Sequence, residues 1–136
     1  MIYYALSNQG IRTMLVRSQY ITAVKPFIGL DVVKVITGIR RSGKSVLLQQ
    51  IREEIAHDID PDGMFVTVNL EEEENAPFLD KGALHAHVLK TIRKAKGRKV
   101  YVFLDEVHDM EDWEITVNSL RAKKNVDVYI TGSNSK

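Results

Sequence analysis

Residues Gly38, Ile39, Arg40, Arg41, Ser42, Gly43, Lys44 and Ser45 satisfy every fixed position of the pattern G-x-x-x-x-G-K-[ST]. Each fixed residue type has a physical task. Glycines let the backbone fold into a nest whose N–H groups face phosphate oxygens. A helix opening directly after the loop adds its positive end to the same anion site. An ammonium at Lys44 reaches the β- and γ-phosphates, and a hydroxyl at Ser45 suits Mg²⁺. Val46 follows on the first helical turn. Gly38–Val46 is therefore the candidate nucleotide site, with Lys44 also a candidate catalytic group. Such a match arises by chance in roughly one chain in a few hundred. Here the context agrees with it, because the β-branched run VVKVIT precedes the loop and an amphipathic stretch follows. Arg40 and Arg41 read as solvated loop charges.

A second acidic motif lies downstream. The unbroken apolar run Val100–Leu104 ends in Asp105-Glu106. Alone, such a pair is a plain solvated strand end. Behind a phosphate loop it acquires roles: Asp105 in the Mg²⁺ shell, and Glu106 as the general base that polarises an attacking water. A third polar cluster, Thr131-Gly132-Ser133-Asn134, ends the last apolar run. Strand C-termini in an open α/β sheet face the ligand crevice. Asn134 or Ser133 could there sense the γ-phosphate, although Gly-Ser-Asn is also ordinary turn chemistry.

These groups need elements to position them. Val32–Thr37, Met64–Leu70, Val100–Leu104 and Val126–Thr131 have the length and β-branched content of strands. Between them, Lys44–His57 and Asp80–Ala95 carry apolar residues at helical spacing, and Trp113, Val117 and Leu120 mark a shorter helix. Before the first strand, Val16, Tyr20, Val24 and Phe27 also fall at helical spacing, with Pro26 and Gly29 as stop signals. Pro61-Asp62-Gly63 is a turn. Strands alternating with helices predict a parallel sheet with helices on both faces, a P-loop NTPase fold. A strand between the two motif strands puts the four in the order 1-4-3-2.

The chain has 136 residues, 44% hydrophobic and 27% charged, which suits one ordinary globular domain. With no cysteine, disulfides, thiolate metal sites and a thiol nucleophile are excluded. A net charge of +1 points to no class of partner. Nucleic acid is an open partner only through the basic run Lys90–Lys99, which reads first as a helix C-terminus whose dipole favours cations. Glu71–Glu74 reads as a solvated loop. His85 and His87 lie two apart and face different directions on a helix, and His57 and His108 lack a ligand-spaced partner, so no structural metal is expected. No apolar run reaches the ~18–20 residues of a membrane span, and no charged start followed by an apolar stretch reads as a secretory signal. The expected compartment is the cytoplasm. The Asp-x-x-Gly and Asn-Lys-x-Asp patterns of GTPases are absent. A small-molecule kinase, or a module that holds nucleotide without turning it over, are the alternatives to hydrolysis.

GIRRSGKS, VYVFLDE, the W–VNSLR stretch after it and VDVYITGSNSK together resemble the AAA-type ATP-binding proteins of AAA domain family 14, predicted ATPases of the AAA+ superfamily. The likeness runs from about Met14, where Met14-Leu15-Val16-Arg17 looks like a family start, to Lys136. It implies ATP and Mg²⁺ as ligands. It also implies phosphate-loop roles for Lys44 and Ser45, metal and water roles for Asp105 and Glu106, and a sensor role for Asn134 or Ser133. Family members continue through a fifth strand, an arginine-finger and second-sensor region, and a C-terminal domain of unknown function. Residues 14–136 are thus expected to be an ATPase core truncated before its C-terminal part, with 1–13 a loosely packed or disordered extension. The fifth strand would be missing, leaving Val32–Thr37 at a bare sheet edge blunted only by Lys34 and open to self-association.

Replacing Lys44 by Ala should abolish nucleotide binding while leaving the fold intact. Titration of labelled ATP into both proteins checks this, and equal affinities would refute the phosphate-loop assignment.

Overall fold

The computed structural model describes residues 3–7, 20–38 and 43–133. Five strands form one parallel sheet: β1 (Tyr3–Ser7), β2 (Val33–Gly38), β3 (Met64–Asn69), β4 (Val100–Asp105) and β5 (Val126–Ser133), in the order β1-β2-β5-β4-β3. Among the described residues, α1 (Lys44–Glu54), α2 (Lys81–Ala95) and α3 (Trp113–Arg121) connect β2 through to β5. The four strands expected from sequence stand in the 1-4-3-2 order of a P-loop NTPase.

The expectation of a bare edge at Val32–Thr37 is overturned. β1 pairs in parallel with β2, from Tyr3↔Val33 to Ser7↔Thr37, on the side away from β5. A segment too short and too weakly patterned to announce itself takes the backbone hydrogen bonds that β2 would otherwise leave open. Self-association through a first-strand edge at β2 loses its premise, because that edge is paired. The rest of the 1–13 stretch and the Met14 start lie outside the described residues.

Strand alternation divides the core into two layers. Val66, Val68, Val100, Val102, Leu104, Val128 and Ile130 face one way, under Leu84 and Val88 of α2 and Val117 and Leu120 of α3. Ile36, Tyr101, Phe103 and Tyr129 face the other way, under Leu47, Leu48 and Ile51 of α1 and under Val24. All six residues of β4 are buried, as befits a strand flanked on both sides and covered on both faces. On the α1 face an aromatic row crosses three strands. Phe65 and Phe103 stack at 6.4 Å, and Phe103 and Tyr129 at 4.8 Å.

Local chemistry sets the element ends. Residues 20–24 are helical and run into a 3₁₀ turn, Lys25–Phe27, with Pro26 inside it. Gly29 then takes φ +85°. The α1 helix stops at Glu54, earlier than its periodicity suggests, and widens into a π-turn, Ile55–Ile59, that keeps Ile55 in the core. Asp60 then accepts a 2.9 Å hydrogen bond from the Tyr101 hydroxyl. A Cβ on Gly63 would come 2.7 Å from the Tyr101 ring, so the turn before β3 requires glycine. Asp80 caps α2 through the amide of Ala83 at 3.0 Å.

Lys34 corrects a second expectation. It blunts no edge; it points into the α1 face, fully buried, and forms an ion pair with buried Asp127. Its ammonium also donates to the carbonyl of Leu30 at 2.9 Å and lies 5.2 Å from the Tyr129 ring centroid. Asp127 accepts from the amide of Gly29 at 2.8 Å and the hydroxyl of Tyr129 at 2.7 Å. Burial pulls the Lys34 pKa below its usual value, and Asp127 opposes that pull. Burial, and then Asp127, drives the Tyr129 hydroxyl far above its ordinary range. The network locks β2, β5 and the turn around Gly29 together. Lys34→Met leaves a buried carboxylate without its counter-ion and should cost about 3–5 kcal/mol in chemical denaturation. Lys34→Met with Asp127→Asn, which keeps an acceptor for Gly29 and Tyr129, should recover most of that loss.

Candidate functional site

Because every strand is parallel, the C-terminal ends of β2, β4 and β5 open on one edge of the sheet. Gly38 ends β2, and Gly43 opens α1 at φ +91°, a left-handed conformation that glycine adopts without strain. Lys44 and Ser45 are the first two residues of α1. Lys44 is buried, and its ammonium donates to the carbonyl of Gly132 at 3.1 Å and lies 3.5 Å from Glu106 Oε1. Val46 is exposed on the same turn.

Asp105 is the hub of the site. Its side chain is buried at the end of β4, on the face that meets α1. The Ser45 hydroxyl donates to its Oδ2, and the Thr131 hydroxyl donates to its Oδ1. Thr131 Oγ also accepts from the backbone amide of Glu106 at 2.9 Å. One buried hydroxyl on β5 therefore holds both acidic residues of the second motif.

Glu106 itself has φ +60° and ψ +55°. A non-glycine residue there costs of order 1–3 kcal/mol and persists only where its surroundings enforce it. The Thr131 hydrogen bond supplies that restraint. The Glu106 carboxylate is buried between two cationic candidates. Oε1 faces Lys44, and Oε2 lies 3.2 Å from His108 Nδ1, at ion-pair distance but without hydrogen-bond alignment. His108 Nε2 is in turn 3.4 Å from Asp109 Oδ1.

Beside Ser45 and Asp105 a cleft of about 300 Å³ runs between α1 and the β3–β4 ends, with Gln49, Arg52, Thr67 and Asn69 in its walls. Among the described residues no three His, Asp or Glu converge on a metal position. The oxygen pair Ser45–Asp105 fits Mg²⁺ nonetheless, since this ion is usually bound by one or two protein oxygens plus substrate phosphates and water.

The structure thus brings together Gly43, Lys44, Ser45, Asp105 and Glu106. Ile39, Arg40, Arg41, Ser42 and Asn134 lie outside the described residues, and Ser133 is described only as the last residue of β5. Sequence reasoning missed Thr131 and His108. Thr131 carried a usable signal, because strand alternation places the last residue of an apolar run on a definite face. His108 carried none, because its partner is reached by a tight turn (Val107–Asp109) and not by ligand spacing.

The model of AAA domain family 14 matches residues 31–136. The chain belongs to the AAA domain family. An uncharacterized protein of Haemophilus influenzae is 33% identical over 124 residues, which are 91% of this chain. The chain spans only 31% of that relative's length. A solved structure of C. elegans PCH-2 superposes with a TM-score of 0.63 at 12% identity, over 93% of this chain and 39% of that one. At that identity the likeness shows the fold alone. The AAA domain here has a P-loop ATPase-like fold, and no helix among its described residues is long and apolar enough to cross a membrane.

Thr131→Val keeps the side-chain shape but strips a donor from Asp105 and leaves the Glu106 amide without an acceptor. It should lower stability by about 1–3 kcal/mol in chemical denaturation, and Thr131→Ser should restore most of it.

Proposed function

We propose that this AAA domain binds ATP with Mg²⁺ and hydrolyses it. The observation that carries the reading is the contact of Ser45 with Asp105, which joins the phosphate-loop motif to the second acidic motif and leaves Glu106 next to Lys44. On this reading Gly38–Ser45 cradle the phosphates through backbone amides, with Ile39–Ser42 assigned by the motif alone. Val46 borders the same nucleotide. Ser45 and Asp105 would hold Mg²⁺, which would supply positive charge against the phosphates. Lys44 directs its ammonium to the β- and γ-phosphates. Those oxygens compete with Glu106 for the same cation, which frees a carboxylate oxygen to accept a proton from water. His108 Nδ1 stands 3.2 Å from the opposite oxygen of Glu106. Asn134 or Ser133 is assigned the sensor role by resemblance. Water is the expected acceptor because a carboxylate capable of general-base work directly follows the metal-binding one.

Glu106→Gln keeps the size of the side chain but cannot take a proton. It should leave ATP affinity within about twofold and cut steady-state turnover by roughly 10²–10⁴, the usual contribution of a general base. Labelled-nucleotide titration together with phosphate release checks both halves. An unchanged rate would remove Glu106 from the chemistry and favour a module that holds nucleotide without turning it over.

A further inference from the structure

Nine of the chain's 19 Lys and Arg residues lie in two short segments, 90–99 and 121–124, which contain no Asp or Glu. They are separate in sequence, and the fold joins them. α2 and α3 pack on the same face of the sheet and run against its strands, so both helices end at the pole where β4 and β5 begin. Asn125, at φ +62°, clamps the two loops together: its side chain donates to the carbonyl of Gly97 at 3.1 Å, and its own carbonyl accepts from Val100 at 2.8 Å. Between the second loop and the Gly29–Asp31 turn lies a recess of about 270 Å³ walled by Lys99, Arg121, Lys123 and Lys124 and by the Asp31 carboxylate that pairs with Arg121.

Helix ends explain part of this charge but not most of it. A helix C-terminus carries roughly half a negative charge, so two of them balance about one cation. Three of the nine have structural partners. Arg98 donates to the carbonyl of Ala95 at 3.0 Å, Lys99 to that of Gly29 at 3.2 Å, and Arg121 pairs with Asp31 at 2.8 Å. The other six are Lys90, Arg93, Lys94, Lys96, Lys123 and Lys124. Among the described residues none of these has a carboxylate within ion-pair distance. The nearby acids do not compensate them: Asp60 is engaged by Tyr101, and Asp58 and Asp62 make no ion pair with them. In a chain of net charge +1, so large an excess of cations at one pole, set against the single carboxylate of Asp31 in the recess, is concentrated, not general.

We propose that this pole binds the phosphate backbone of a duplex nucleic acid. Closely spaced phosphates match several cations set on two rigid loops, and the recess admits one phosphate group. Residues 90–99 and 121–126 contain no aromatic side chain, so the surface offers no stacking platform for single-stranded bases. Leu30 and Ile59 are the exposed large apolar residues at this pole among those described, too little to enter a bilayer. Recognition is therefore electrostatic and independent of base sequence. The six-residue strand β4 separates this pole from the phosphate-loop edge by about 20 Å, so duplex binding is separable from the nucleotide site.

The test is fluorescence anisotropy with a labelled 20-base-pair DNA duplex and the same sequence as RNA duplex, across a series of salt concentrations. The native chain should bind one or both with a Kd in the ~10⁻⁶–10⁻⁴ M range and weaken steeply with salt. The variant Lys90→Gln, Lys94→Gln, Lys123→Gln and Lys124→Gln should bind at least tenfold more weakly. Its slope of log K against log salt should be shallower by about 3–4, since each lost phosphate contact contributes ~0.9. An unchanged denaturation midpoint shows that the variant is folded. Three results would each overturn the proposal: no salt-dependent duplex binding by the native chain, equal binding by the folded variant, or binding to phosphatidylserine vesicles that duplex does not compete away.

Discussion

The site depends on a single buried carboxylate. Asp105 stands at the end of β4 and takes hydroxyl hydrogen bonds from Ser45 on α1 and Thr131 on β5. A carboxylate that loses its water must recover equivalent partners or give up its charge. Here the partners come from two different elements, neither of them the strand that carries Asp105. Meeting that requirement therefore fixes where the phosphate-loop helix begins relative to β4, and how β5 lies beside it. The left-handed backbone of Glu106 follows from the same arrangement, since its amide is aimed at the hydroxyl that already serves Asp105.

The opposite pole uses the same device with a different donor. Asp127 is satisfied by an ammonium, an amide and a hydroxyl, and the ammonium belongs to a lysine with no exposure to solvent. Both buried acids lie on the α1 face of the sheet, whereas the α2–α3 face is an apolar layer of Val, Leu and Ile. One face thus carries stability through packing. The other carries polar networks at its two ends and a stacked aromatic row between them. Breaking a buried polar network by removing one partner is costly, so these residues specify register as well as stability.

The α2–α3 face has its own consequence at the lower pole. Packing two helices on the same side of a parallel sheet requires both to return toward the strand N-termini. Their basic ends meet there, clamped by Asn125. A run that looks like ordinary dipole compensation within one helix becomes half of a larger charged surface once the second helix is placed beside it.

Sequence by itself determined the phosphate-loop pattern, the acidic pair after an apolar strand, the helix and strand alternation and the order of four strands. These are local patterns whose chemistry or periodicity survives without knowledge of the neighbours. The family was also readable, because its four matching segments occur in order. Only the tertiary structure decided what happens between segments. Lys34, a charge inside an apolar strand, looked like edge protection until Asp127, 93 residues away, came into contact with it. Tyr3–Ser7 has little pattern of its own and becomes a strand by pairing with the open side of β2. Thr131 reads as the last residue of a strand and acts as a bridge because parallel register sets it beside Asp105 and Glu106. Nothing within one segment encodes such partners, since hydrogen-bond and charge satisfaction depend on which groups the fold brings within about 3 Å of each other.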